Sequence, residues 1–114
     1  MPDSEHVMVF ITVGSFREAD RIAKALVEKM LAACVNIIPF IASVYRWQEE
    51  VQSDIEALLI VKSRRDVFEH LVSCVKELHS YETPEIIALP IVAGNADYLR
   101  WLDSSVPGGW HDID

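Results

Sequence analysis

Near its start the sequence has an apolar run that is followed at once by a segment of helical spacing. Residues 7–13 read VMVFITV, which is typical of a strand buried on both faces. Gly14 ends the run, and Ser15 with Glu18 matches the capping box found at the start of many helices. Apolar residues then recur at helical spacing from Phe16 to Met30, with charged residues between them. This order predicts an amphipathic helix that covers one face of a sheet.

The middle of the chain predicts two long strands joined by a turn. Val35 to Ile41 and Ser43 to Gln48 are both strand-like, and Pro39 belongs at an edge or a bend because proline cannot donate to a sheet ladder. Glu49-Glu50 marks the turn, and Ile55 to Lys62 is the return strand. A long two-stranded ribbon is only marginally stable alone, so we expect its outer part to be braced by another subunit.

A second helix and a fourth strand complete the pattern. Ser63 is predicted to cap the helix, whose apolar stripe runs from Phe68 to Leu78. Pro84 then prevents the helix from continuing, because the residue before a proline is pushed toward extended geometry. Ile86 to Val92 is the fourth strand, and Asn95 is suited to cap a short third helix.

The order of these elements predicts an α+β fold, a ferredoxin-like split βαβ sandwich with a long hairpin between its second and third strands. Both longer helices are expected on one face of a four-stranded antiparallel sheet. The strands are apolar at almost every position, so the other face also needs cover, which predicts oligomerisation. We expect one domain over residues 1–114, with irregular tails at 1–5 and 107–114.

The composition of the chain argues against some classes of function. The 114 residues are 51% hydrophobic, which supplies a sizeable core, and the net charge of −8 argues against a nucleic-acid partner. No apolar run approaches a membrane span, and the first residues do not resemble a signal peptide. Cys34 and Cys74 form neither a CxxC pair nor a zinc spacing, and are predicted to be buried free thiols. A reducing, cytoplasmic location is therefore expected.

The segment that joins the second helix to the fourth strand carries the first group of candidate site residues. His79, Tyr81, Glu82 and Glu85 lie close together in the sequence, at the expected mouth of a strand. A histidine, a tyrosine and carboxylates so grouped could bind a metal or a small polar ligand. The alternative is a loop whose polar side chains face water.

Three residues of the predicted hairpin could join that group. Tyr45 and Trp47 have the same strand parity and so project from one face, and Lys62 ends the paired strand. Together with the first group they define a candidate inter-subunit pocket. It could hold an anion or small molecule between aromatics and a lysine, or a cation between the histidine and the carboxylates. Alternatively, these groups satisfy one another across a polar subunit interface.

The other histidines and cysteines give weaker indications of a metal or catalytic site. His70 and Cys74 are four residues apart on one helix and could share a metal, but nothing upstream completes the site. His6 and His111 lie near the termini and are expected to be solvated. The spacing of residues supports no Ser/His/Asp or Cys/His catalytic arrangement, and there is no phosphate-binding loop.

Several stretches of the chain resemble the CutA family, the divalent-cation tolerance proteins. They are LAACVN at 31–36, SVYRWQ at 43–48, LLIVK at 58–62, LHSYETPEIIALP at 78–90 and GNADYLRW at 94–101. These stretches are spread over most of residues 7 to 106. Any one of them is a weak signal, whereas together they are highly specific.

The resemblance implies a ferredoxin-like fold, a tight homotrimer built by strand pairing between subunits, and a role in tolerance of divalent metals, copper above all. It implies Cu²⁺ or another divalent cation as ligand. Of the copper-binding arrangement, Glu85 is the residue clearly present in this chain, and His79 lies next to the position of the family's histidine. This chain departs from the copper-associated members at two positions. It has Ile11 where they have cysteine and Leu78 where they have histidine.

Three functions follow as hypotheses of different classes. The leading one is a cytoplasmic homotrimer that acts in the response to metal ions, binds cations weakly and is not an enzyme. The alternative is a trimeric regulatory module of the PII type, with a small effector in the cleft between subunits, which rests on fold analogy alone. The third is an enzyme with His79 and Glu85 as acid and base. None of the three involves a nucleic acid or a membrane.

Overall fold

The computed structural model describes residues 5–108, which fold into four strands and three α-helices. In chain order these are β1 (His6–Val13), α1 (Phe16–Glu28), β2 (Cys34–Trp47), β3 (Glu50–Arg64), α2 (Phe68–Leu78), β4 (Ile86–Pro90) and α3 (Ala96–Ser105), with a short 3-10 turn at Arg65–Val67. The strands form one antiparallel sheet in the order β2-β3-β1-β4. The predicted α+β, ferredoxin-like fold is confirmed. His111 and most of the predicted tails lie outside the described residues.

Most of the core lies between the sheet and the layer formed by α1 and α2, and α3 with its C-cap adds Leu102 and Val106. Burial alternates along β1, because successive side chains of a strand point to opposite faces. The largest fully buried side chains are Val9, Ile11, Val13, Ile22, Leu26, Leu59, Val61, Val67, Leu71, Val75, Leu102 and Val106. The prediction that β1 is buried on both faces therefore holds for only one face in a single chain.

The opposite face of the sheet remains largely apolar and partly uncovered. We call it the open face; its apolar residues are Met8, Phe10, Leu58, Ile60, Ile87 and Leu89. Helix α3 covers one end of it, where Asp103 Oδ1 lies 2.9 Å from His6 Nε2 and accepts a hydrogen bond from Arg64 Nη1 at 2.8 Å. The side chain of Asn95 accepts from the Asp97 N–H, which confirms the predicted cap of α3.

The hairpin of β2 and β3 extends beyond the rest of the sheet. Strand β1 pairs with β3 only from Ala57 to Arg64, so residues 50–56 of β3 lie beside β2 alone. Val44, Val51 and Ile55 on this extension are 70%, 67% and 62% exposed. Within residues 5–108 these apolar side chains are therefore left mostly in water.

Two irregularities shape β2 and its turn. The register shifts between Ile38 and Ile41, where Pro39 and Phe40 form a bulge, as expected for a proline at an edge or bend. The tight turn comprises Gln48 and Glu49, both at positive φ, and so begins one residue earlier than the predicted Glu49-Glu50. Two-residue hairpin turns of this kind need positive φ at both central positions.

The beginning of α2 differs from the prediction. Ser63 does not cap the helix, because β3 continues to Arg64 and the buried Ser63 hydroxyl donates to the carbonyl of Leu31 at 2.6 Å. The helix begins at Phe68, and Val67 at its cap position makes no side-chain hydrogen bond. A buried hydroxyl must find an acceptor, and here the connection after α1 supplies it.

Candidate functional site

His79 immediately follows α2, and its imidazole turns into the protein. The residue is only 8% exposed. Its backbone has already left the helix, although its N–H still donates to the carbonyl of Val75. The Arg21 guanidinium of α1 donates to the carbonyl of Leu78 at 3.1 Å, so α1 holds this end of α2 in place.

Both ring nitrogens of His79 lie within hydrogen-bond distance of backbone groups. Nδ1 accepts from the N–H of Tyr81 at 3.1 Å. Nε2 lies 2.8 Å from the carbonyl oxygen of Thr12, which can only accept, so Nε2 carries the proton. The imidazole is therefore neutral and links the segment after α2 to the end of β1.

Glu18 of α1 reaches the same segment. Its backbone N–H donates to Ser15 Oγ at 3.2 Å, which confirms Ser15 as the helix cap. Its carboxylate accepts from the N–H of Ser80 at 2.6 Å and lies 3.6 Å from His79 Nδ1. Glu18, which is predicted to complete a capping box, thus also binds the backbone N–H of Ser80, 62 positions further along the chain.

Tyr81 extends from this segment to a buried carboxylate of β3. Its hydroxyl donates to Glu56 Oε2 at 2.6 Å, and its ring packs against His79 with centroids 4.7 Å apart. The ring passes over Gly14, where a Cβ would lie 3.1 Å from the Tyr81 oxygen. The absence of a side chain at Gly14 therefore leaves room for the phenol to reach Glu56, which is 9% exposed.

A second tyrosine–carboxylate pair lies nearby. The Tyr45 hydroxyl bonds to the carboxylate of Asp54. This hydrogen bond raises the pKa of Tyr45, while burial and the hydrogen bond to Glu56 raise the pKa of Tyr81 further. The charge of each carboxylate also raises the pKa of the other pair's tyrosine. We therefore treat Tyr45, Asp54, Tyr81 and Glu56 as one tyrosine–carboxylate cluster. Asp54 and Glu56 were not among the residues predicted from the sequence, although their spacing of two on one strand face was a usable signal.

The raised tyrosine pKa values predict how stability depends on alkaline pH. All three tyrosines of the chain are affected, since burial near Cys34 raises the pKa of Tyr98 as well. A group whose pKa is raised by folding contributes stability below its unfolded pKa, about 10 for tyrosine, and this contribution is lost as pH rises through the folded value. We therefore expect phenolate absorbance to appear at higher pH in the folded protein than in urea, and Tyr81→Phe to reduce the alkaline loss of stability. Coincident titration curves would contradict this expectation.

The predicted pocket residues of the hairpin are not all brought together in one chain. Trp47 is 55% exposed beside the turn. Lys62 lies near the other end of β3, where it donates to the side chain of Asn36. Tyr45 pairs with Gln52, ten positions before Lys62, so the two predicted residues are about 30 Å apart along the ribbon.

Glu82 and Glu85 complete the predicted group, and both are exposed. They lie on the segment between His79 and β4, but the imidazole points inward to Thr12 whereas these carboxylates face outward. The structure thus connects His79 to Tyr81, and Tyr81 to Tyr45 through the carboxylates of Glu56 and Asp54, whereas Glu82 and Glu85 lie at the surface.

Within residues 5–108, the His79 imidazole is not arranged as a metal ligand. The only lone-pair nitrogen of His79 already accepts a hydrogen bond from Tyr81. Throughout residues 5–108, no three His, Cys, Asp or Glu side chains are grouped so that they could hold a metal ion. His70 and Cys74 both lie on α2, with Cys74 buried, and among the described residues they belong to no group of three such side chains. An ion at Glu85 would need further ligands from outside the described part of one chain.

Comparison with known proteins gives a consistent result. Residues 7–105 match the family described as CutA1 divalent ion tolerance protein. A divalent-cation tolerance protein CutA of Thermus thermophilus is 57% identical over 95 residues, 83% of this chain and 92% of that protein. The chloroplastic Protein CutA of Arabidopsis thaliana is 46% identical over 99 residues, 87% of this chain but 54% of that protein, so the chain spans about half of it.

Solved structures agree with the sequence matches. The structure of the divalent cation tolerance protein (Cut A1) from Thermus thermophilus superposes with a TM-score of 0.87 at 53% identity, and the match covers 89% of this chain and 98% of that one. The names of this family and of these relatives describe tolerance to divalent cations rather than an enzymatic reaction. Within residues 5–108, no helix has the length and apolar character needed to cross a membrane.

Proposed function

The chain belongs to the CutA1 divalent ion tolerance protein family, and from this premise we propose that it acts in the tolerance of divalent metal ions, copper among them. The working form is a cytoplasmic homotrimer. It binds metal weakly at its surface and does not enclose an ion within one subunit.

The uncovered apolar surface is the observation that supports assembly. On the open face, Ile87 and Leu89 of β4 are 51% and 45% exposed. The edges at β2 and β4 have no further strand beside them within residues 5–108. Burial of apolar surface stabilises by about 25 cal/mol per Å², and unpaired edges invite pairing with another chain. Two further copies of this chain would cover the open face and pair with the edges at β2 and β4.

Weak rather than tight metal binding follows from the donors that each chain offers. Glu82 and Glu85 are exposed carboxylates, and a net charge of −8 attracts cations to the whole surface. His79 would have to give up its hydrogen bond from Tyr81 to bind an ion, which opposes tight binding. The two unpaired thiols, Cys34 and Cys74, support a reducing compartment such as the cytoplasm.

Growth on copper tests this proposal. In a copper-sensitive bacterial strain that lacks its own family member, we expect expression of this chain to restore growth at an inhibitory copper concentration. The purified protein should scatter light as a particle of about three times the 12.9 kDa chain mass. In calorimetry, we expect weak copper binding that is reduced by Glu85→Gln and unchanged by Glu49→Gln, a matched exposed glutamate at the hairpin turn.

Two results would contradict the proposal at different levels. A monomer at micromolar concentration would overturn the trimer, whatever the growth result. A folded trimer that leaves copper sensitivity unchanged would overturn the role in tolerance. His79→Ala is unsuitable as the metal variant, because loss of this buried side chain is expected to disturb the fold.

A further inference from the structure

A small cavity lies where the end of β1, the bulge of β2 and the middle of β3 meet. We call it the Glu56 pocket; its lining residues are Gly14, Ser15, Phe16, Pro39, Phe40, Ile55, Glu56 and Ala57. Its volume is about 80 Å³. Pockets for drug-sized ligands span roughly 300–1,000 Å³, so this one suits only a small chemical group.

The rim of the Glu56 pocket is apolar and largely aromatic. Phe16, Phe40 and Ile55 are 53%, 81% and 62% exposed. Phe40 is held at the bulge with a φ of 62°, a conformation that bulky residues rarely adopt. The fold thus presents two phenylalanines to solvent around one small opening.

One of the lining residues, Glu56, is an acid with no partner of opposite charge within residues 5–108. Glu56 is 9% exposed, and its Oε2 accepts from the neutral hydroxyl of Tyr81. In the part of the chain that the structure describes, no lysine, arginine or histidine forms an ion pair with Glu56. A buried carboxylate is costly unless it is paired, so a cation that enters the pocket gains a partner already in place.

We propose that the Glu56 pocket binds a small organic cation, with a guanidinium or ammonium head and a short apolar stem. The head would pair with the carboxylate, and the aromatic rim would stabilise both the charge and the stem. A hard metal ion fits poorly, because it requires about six oxygen ligands and the lining side chains offer only the carboxylate of Glu56 and the hydroxyl of Ser15. This property goes beyond metal tolerance and does not depend on it.

Calorimetric titration with simple probes tests the pocket. We expect butylguanidinium and butylammonium to bind saturably, whereas butyrate, which has a similar stem but a negative charge, does not bind. Glu56→Gln keeps the size of the side chain and an acceptor for Tyr81 but removes the charge, and it should weaken binding at least tenfold. Asp54→Asn is the matched control, because Asp54 lies on the same strand as Glu56 and also bonds a tyrosine, but does not line the pocket. Cation binding by this variant should be unchanged.

Three outcomes would overturn the proposal. They are no saturable cation binding at millimolar concentration, equal binding of butyrate, and full binding by Glu56→Gln. If no cation binds and Glu56→Gln also changes the particle mass, a side chain of a second copy occupies the pocket and the proposal is equally wrong. Phe40→Ala, at a highly exposed position, provides a second variant whose weaker cation binding is expected even if Glu56→Gln fails to fold.

Discussion

His79→Ala is expected to lower the free energy of unfolding by about 2–4 kcal/mol. The substitution removes the acceptor for the Tyr81 N–H and the donor to the Thr12 carbonyl, and leaves a cavity where a buried imidazole stood. Each buried polar group left unpaired costs about 1–3 kcal/mol, which water entering the cavity would partly offset. Urea denaturation at neutral pH and a fixed protein concentration measures the change.

Two further variants show whether the loss comes from these hydrogen bonds. His79→Asn can still accept from the Tyr81 N–H, as asparagine does in turns, and should recover part of the stability. Glu82→Ala, at an exposed position of the same segment, should change stability by less than about 0.5 kcal/mol. Equal stability of His79→Ala and wild type would show that the buried imidazole does not hold this segment, and would return His79 to the list of candidate ligands.

Leu59→Ala is expected to lower the free energy of unfolding by about 3–5 kcal/mol. Leu59 is fully buried in β3, where it pairs with Ile11 of β1 and Ile37 of β2. Neighbouring elements cannot close around a vacancy there without distorting the ladders on both sides. Chemical denaturation, with the folded state checked by circular dichroism, gives the value.

Leu58→Ala is the matched substitution, one residue away on the open face. If other copies cover that face, this variant should weaken association, so that the light-scattering mass falls on dilution before that of the wild type. The packing of the core around Leu59 should remain unchanged in this variant. If Leu58→Ala leaves both the mass and the stability unchanged, the open face is not the surface through which subunits associate.

Local sequence patterns predicted most of the fold. Ser15 and Asn95 cap their helices as expected, because a side chain that accepts from a backbone N–H two or three residues ahead depends only on nearby sequence. Ser63 looked equally suitable as a cap but lies in a strand, since the ladder between β1 and β3 extends to Arg64. The long-range pairing overrode the local preference.

The candidate site was predicted less well than the fold. The histidine and the two tyrosines were recognised from their residue types, but their partners were not. The strand pattern of residues 51–62 does not show that Glu56 and Asp54 bond to the two tyrosines. The pairing of Tyr45 with Gln52 also places Lys62 far from Tyr45. Strand parity predicts which face a side chain occupies, but the distance along a ribbon depends on the register.

The sequence by itself determined the order of strands and helices, because period, caps and breakers act over a few residues. It also determined membership of the family, through the motifs spread along the chain. Only the tertiary structure decided what His79 does. Its partner Thr12 lies 67 positions away, and Glu18 reaches the neighbouring Ser80 from α1 across 62 positions. Hydrogen bonds have a range of about 3 Å, so a role that depends on them is set only when distant segments have been brought together by the sheet.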